Sequence, residues 1–272
     1  MFFGVLATAA LPPLHLVLLL VPALTGLVWL IDAAPSRRAA FAAGWWFGVG
    51  HFASGLYWIS IALLVDAARF AWLIPFAVLG LSAFFALFTA LVAWLAAVAA
   101  RRGGGRVLVL AAAWAFQEWL RSWVLTGFPW NLMATTWAPV DSVLQTAAVI
   151  GPYGLGLLTV WAAASPSLLA DASLSPRLRA WAGAGLPVAL FVMLAAAGGL
   201  RLAQADESRV AGVRLRLVQP AIPQQLKWQD DLRERHLSAH LALSASPASP
   251  PPTHIIWSET AVPFFLASDA PN

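Results

Sequence analysis

Cysteine is absent from all 272 residues, which removes disulfides, thiolate metal sites and a cysteine nucleophile from this chain and is silent on redox compartment. Charge is nearly as scarce. Asp, Glu, Lys and Arg make up 10% of the sequence, against about a quarter in soluble domains, and Lys227 is the single lysine. With 61% apolar residues and a mean hydropathy of +0.77, this is the composition of a membrane protein. Asp, Glu and His nowhere fall at ligand spacing, so neither a metal nor a cofactor is implied.

The few charges divide the chain. Residues 1–202 carry ten arginines and five acids, whereas 203–272 carry six cations and seven acids. An apolar region is therefore followed by a short water-soluble one. A pI near 10.6 invites a nucleic-acid reading, but the arginines sit at the ends of apolar runs and form no basic stripe. No nucleic-acid partner is expected.

About 20 apolar residues span the ~30 Å hydrocarbon layer as a helix, because lipid offers the backbone no hydrogen bonds. Leu14–Ile31, Ala39–Val65, Phe70–Ala100, Val107–Leu125, Val143–Ala170 and Ala180–Leu200 qualify. Phe2–Leu11, ended by Pro12 and Pro13, is short for a crossing, either a first helix missing its start or half of a helical hairpin, and completes a set of about seven segments; without a basic stretch before it, a cleaved signal peptide is not expected. Arg37 and Arg38, then Arg101, Arg102 and Arg106, then Arg177 and Arg179 fall in alternate loops. The positive-inside rule places those loops in the cytoplasm, so 203–272 emerge on the periplasmic or outer side.

Within the segments, Gly44, Gly48, His51 and Gly55 share one helix face, which favours close packing through small residues over a ligand role for His51. Glu118 and Arg121 stand three apart in a stretch that is otherwise apolar from Val107. They can pair on one face, with Arg121 snorkelling outward, as a structural ion pair or as a catalytic or headgroup-binding one. Thr126, Gly127 and Pro129 lie between aromatics just before Trp130 and specify a rigid turn at headgroup level, either a helix end or the lining of a lipid entry.

After Ala211 the period becomes two. Val213, Leu215 and Leu217 alternate with Arg214 and Arg216, the pattern of a strand whose arginine face is wet. A helix opens with Asp230 and Asp231, and a second strand, His254–Trp257, leads to Ser258, Glu259 and Thr260. Strand, helix, strand predicts a βαβ unit with parallel strands, and chemistry in such sheets collects at strand ends.

Three strings now combine: LRSWVLTGFPWN at 120–131, VQPAIPQQLKW at 218–228 and IIWSETAVP at 255–263. Together with GWWFGVGHFASGLYW at 44–58 they resemble the bacterial apolipoprotein N-acyltransferase family. The resemblance implies a polytopic α-helical membrane bundle over 1–202 and, over 203–272, the beginning of a periplasmic α/β nitrilase-like (αββα sandwich) domain. It implies an inner-membrane enzyme that moves an acyl chain from a phospholipid donor to the α-amine of a diacylglyceryl-cysteine apolipoprotein, through a thioester on a Glu-Lys-Cys triad.

Glu259 matches the family's glutamate and is its expected general base, a role that burial would favour by raising its pKa. Trp228 matches the family's K-W tryptophan near the lipid route, and Gly127 the glycine of the membrane-surface turn. Trp130, Glu118 and Arg121 join them as expected substrate-binding residues. Ser258 departs from the family's proline. The family's lysine and cysteine are missing before Asn272, so these residues are expected to be an inactive amino-terminal part of the enzyme. A non-enzymatic polytopic protein and a membrane-tethered nitrilase-type amidase are the alternatives.

Overall fold

The computed structural model describes residues 1–100, 102–206 and 209–261. Arg101, Ser208 and the Val262–Pro263 end of the last motif lie outside the described residues. Two compact units meet at Ala205 and Asp206, and each is considered by itself.

The first unit is helical: α1 (Phe2–Ala9), α2 (Leu20–Ala33), α3 (Arg37–Gly55), α4 (Ile59–Leu63), α5 (Ala67–Phe70), α6 (Ile74–Ala99), α7 (Gly104–Arg121), α8 (Asp141–Leu144), α9 (Ala147–Ala164), α10 (Pro176–Ala180) and α11 (Leu186–Ala203). Local chemistry sets several boundaries. The Ser36 side chain accepts the Ala39 N–H at the start of α3, the N-cap that a polar side chain before an apolar run provides. Proline stands at the first turns of α6, α10 and α11, where its missing N–H costs nothing. Gly151 (φ 72°) followed by Pro152 kinks α9.

Three helices among the described residues are long and apolar enough to cross a membrane: Ala67–Ala99, Ala147–Ala170 and Pro176–Ala203. Their outer surfaces suit lipid. Val188, Val192 and Leu200 on α11 are 63 to 64% exposed, a row of bare apolar side chains that water would oppose. The remaining segments differ from the sequence expectation. Regular helix starts at Leu20 after a 3₁₀ turn at Val17–Leu19, because His15 takes a positive φ of 51° and Leu16 is not helical. The Ala39–Val65 stretch divides, α3 ending at Gly55 and α4 beginning at Ile59. Helices α3 and α7 have length enough but are less apolar, one opening on Arg37 and Arg38 and the other carrying Gln117, Glu118 and Arg121.

Packing centres on α3, which lies between α1 and α6. A Cβ on Gly44 would come within 2.6 Å of Thr89 O, and one on Gly48 would collide with Thr89 Oγ1 and lie 2.7 Å from Ala86 Cα. Thr89 Oγ1 donates to Gly44 O at 3.0 Å. Backbones this close require small residues. Gly48→Val should therefore destabilise the bundle by about 1–3 kcal/mol or more through overpacking, read as a lower thermal midpoint in detergent. An unchanged midpoint would show that α6 can step aside.

His51 sits in the same packing. It is 1% exposed, Thr8 Oγ1 donates to its carbonyl at 2.8 Å and lies 3.1 Å from its Nδ1, and Phe47, Phe52 and Trp114 surround the ring.

In the second unit β1 (Leu215–Val218) pairs in parallel with β2 (His254–Trp257), Leu217 opposite Ile256 and Val218 opposite Trp257, with α12 (Arg233–Ala245) between them in sequence. The faces are the reverse of the sequence expectation. Arg216 Nη1 donates to Leu243 O and Ser244 O at 3.3 and 2.6 Å, at the end of α12, whereas Leu217 is 75% exposed and Leu215, Ile255 and Ile256 are also open. Arginine reaches the carbonyls that a helix end leaves unpaired, so its face becomes the covered one.

Candidate functional site: an aromatic turn beside an apolar cavity

Four residues at the end of α7 point into the bundle and organise the chain that follows. Trp114 and Glu118 are one helical turn apart, and Trp114 Nε1 donates to Glu118 Oε1 at 3.0 Å. The same oxygen accepts the Met133 N–H at 2.9 Å. Arg121 Nη1 donates to two main-chain carbonyls, Phe128 O at 3.1 Å and Trp130 O at 2.6 Å. Ser122 Oγ donates to Glu118 O at 2.9 Å and lies 2.6 Å from Tyr153 Oη.

Two expectations for Glu118 and Arg121 are corrected by this geometry. They do not form an ion pair with each other, whereas Arg106 does pair with Asp32. Arg121 does not snorkel either: it is 2% exposed and Glu118 is 0% exposed. The guanidinium is held inside the bundle by the two carbonyls that turn back toward its Nη1, although its buried Nε has no partner among the described residues. Its charge also lies 5.2 Å from the centre of the Phe52 ring, a favourable contact for a cation.

The turn so held is tight. Gly127 has φ 80°, and a Cβ there would strike Ser122 O. Phe128 N donates back to Arg121 O at 2.8 Å. Leu125 and Asn131 also take positive φ, 60° and 57°, at about 1 kcal/mol or more for a non-glycine residue. The Phe128 ring stacks on Phe85 at 4.7 Å. Trp130 is 52% exposed, its ring 5.3 Å from that of Trp58.

Beside this turn lies a cavity of about 600 Å³, walled by Pro12, Leu14, Gly55, Trp58 and Trp130 among others. It opens between the end of α1, the end of α3 and the 129–131 segment. The absence of a side chain at Gly55 admits Asn131, whose Nδ2 would collide with a Cβ there. Of the expected substrate-binding residues of the first unit, Trp130 lines the cavity, whereas Gly127, Glu118 and Arg121 do not. The sequence assigns no role to Trp58, Asn131 or Tyr153, although Trp58 and Asn131 each end a quoted string. Their partners are 72 residues away for Trp58, 76 for the Gly55–Asn131 contact, and 31 for Tyr153, and single-sequence periodicity carries no such pairing.

In the second unit, Glu259 is exposed in the turn directly after β2, so the described residues do not supply the burial expected for it. Trp228 is 55% exposed. A small cavity of about 170 Å³ sits at the carboxyl ends of the strands, lined by Gln219, Pro220, Lys227, His240 and Ser258. Among the described residues no group of His, Asp and Glu is arranged to hold a metal ion.

Three helices long and apolar enough to cross a membrane, with a largely apolar cavity beside an aromatic turn elsewhere in the same unit, define a helical membrane protein. The model for the apolipoprotein N-acyltransferase N-terminal domain matches residues 3–165; the chain belongs to that family. It is similar to the apolipoprotein N-acyltransferases of Brucella suis, 41% identical over 281 residues that cover 97% of this chain and 52% of the relative, and of Rhodopseudomonas palustris, 41% identical over 278 residues covering 98% and 52%. The Rhizobium etli relative is 39% identical, with 98% and 52% covered. The chain spans about half the length of the curated relatives it matches.

Proposed function

We propose that this chain is the membrane domain and first strands of an apolipoprotein N-acyltransferase, with about seven crossings and a nitrilase-type domain that begins on the periplasmic side of the inner membrane. The observation that carries the reading is the apolar cavity beside the Gly127–Trp130 turn, a place for an acyl chain to leave the lipid layer sideways. In the reaction, a cysteine thiolate attacks the ester carbonyl of a phospholipid, forming a thioester and releasing the lysophospholipid. The α-amine of a diacylglyceryl-cysteine then attacks the thioester, forming an amide and returning the thiol. Glu259, one position past the end of β2, is the base that removes the thiol proton in this scheme. The bare face of Leu215, Leu217 and Ile256 suits a strand pair that packs on a further layer, as in a sandwich. An amidase acting on a small soluble substrate would have no use for a cavity walled by Leu14, Trp58 and Trp130.

A phosphatidylethanolamine carrying a diazirine on its acyl chain tests the reading. Crosslinks are expected on peptides containing Pro12–Leu14 or Trp58, unaffected by excess of a short soluble amide. Crosslinks confined to the outer surfaces of α6 and α11 would remove the cavity from the lipid route. For topology, reporter fusions after Arg38, Arg102 and Arg179 are expected to report cytoplasm, and fusions after Asp141 and at Ser208 periplasm. A periplasmic signal after Arg102 would overturn the seven-crossing arrangement.

A further inference from the structure

The two charged residues near the carboxyl end of α7 both bond to main chain, Glu118 also accepting the Trp114 Nε1–H. Arg121 holds the carbonyls of Phe128 and Trp130, and Glu118 holds the N–H of Met133, so both ends of the 128–133 segment are tied to one helix. The segment bends through a positive φ at Asn131, and Trp130, between the tied points, walls the large cavity. Neither charged side chain lines that cavity, and both are buried. A headgroup ligand needs accessible donors, and a surface charge pair needs water; this arrangement has neither.

We propose that Glu118 and Arg121 are positioning residues for the cavity mouth: they fix the 128–133 main chain so that Trp130 stands as a wall against which a phospholipid acyl chain packs. The proposal rests on the lipid reading of the cavity for its ligand, but the clamp itself is independent of that reading. Arg121 acts through two forked contacts on one nitrogen. Glu118 acts as an acceptor oxygen, since Oε1 takes both of its hydrogen bonds and Oε2, buried, takes none among the described residues. An amide in place of the carboxylate keeps that acceptor; a methyl group does not.

The cysteine-free chain makes the test direct, because one introduced thiol is one label. A nitroxide on Pro129→Cys reports the turn, and a second, on Ala172→Cys in a separate preparation, reports a loop far along the chain. In lipid nanodiscs of phosphatidylethanolamine and phosphatidylglycerol, the Pro129 label is expected to be immobile in the parent chain and in Glu118→Gln. It should become mobile in Glu118→Ala and Arg121→Gln, while the Ala172 label keeps its spectrum throughout. An immobile Pro129 label in Arg121→Gln, or equal mobility in Glu118→Gln and Glu118→Ala, would overturn the clamp. If Arg121→Gln loosens both labels, the Glu118 pair decides, because its amide member preserves shape and packing. The diazirine lipid separates the two readings: with the clamp intact, loss of cavity crosslinks in Glu118→Ala but not in Glu118→Gln supports the wall role, and no cavity crosslinks even in the parent chain removes the lipid ligand while leaving the label result to judge the clamp.

Discussion

Glu259→Gln, placed in a full-length enzyme that has the family's lysine and cysteine, is expected to lower acyl-enzyme formation by about 10²- to 10⁴-fold, the usual contribution of a general base. A cysteine thiol has a pKa near 8.5, so at neutral pH few molecules carry the thiolate that attacks an ester. A carboxylate within reach of the thiol takes its proton; the glutamine amide has nearly the same shape and cannot. The position is suitable, since Glu259 follows β2 at the carboxyl end of a parallel strand, where α/β sheets gather their chemistry. Expression and membrane insertion should stay near the parent level, because the substitution touches no helix. The measurement is thioester formation with a labelled phospholipid, and a rate within about twofold of the parent would remove Glu259 from the base role.

Residues 1–272 by themselves are expected to form no acyl-enzyme at all. The sequence has no cysteine, and the hydroxyls beside Glu259, on Ser258 and Thr260, have no second lysine in the chain to assist them, Lys227 being the only one. Positioning of a lipid in the cavity cannot substitute for a missing nucleophile, so no residual turnover is expected from binding alone. Insertion should survive, since membrane helices satisfy their own backbones. Expressing 1–272 in a strain depleted of its own N-acyltransferase, with insertion confirmed, should give neither growth rescue nor an acylated lipoprotein amino terminus by mass spectrometry. Rescue would show that a thioester mechanism and the assignment of Glu259 are both wrong for this protein.

What could be read in advance follows from how local each property is. Hydropathy separates the membrane-length helices from the second unit because each apolar run carries its own signal, and Ala67–Ala99 and Pro176–Ala203 stand out on that ground alone. The short strings around Gly127, Trp228 and Glu259 were enough to indicate the family, since each encodes a turn or strand end within a dozen residues. The strand pair was legible too, in its period of two. The direction of its faces was not: Arg216 is covered because α12 ends with free carbonyls beside it, a fact about where a helix 28 residues later stops.

The same distinction governs the candidate site. The sequence by itself determined that Glu118 and Arg121 share one face of an apolar helix and that a rigid turn follows, because spacing on a helix and the φ demands of Gly127 are local. Tertiary structure alone decided what the two charges hold. Three residues apart they had each other as the nearest partners in sequence, but the chain after Gly127 doubles back and brings the Phe128 and Trp130 carbonyls and the Met133 N–H to them. Main-chain groups folded into an apolar interior must find partners there, and one guanidinium nitrogen and a buried carboxylate oxygen supply them. That requirement, which exists only once the turn is packed against α7, is why the pair ties down the loop instead of joining with itself.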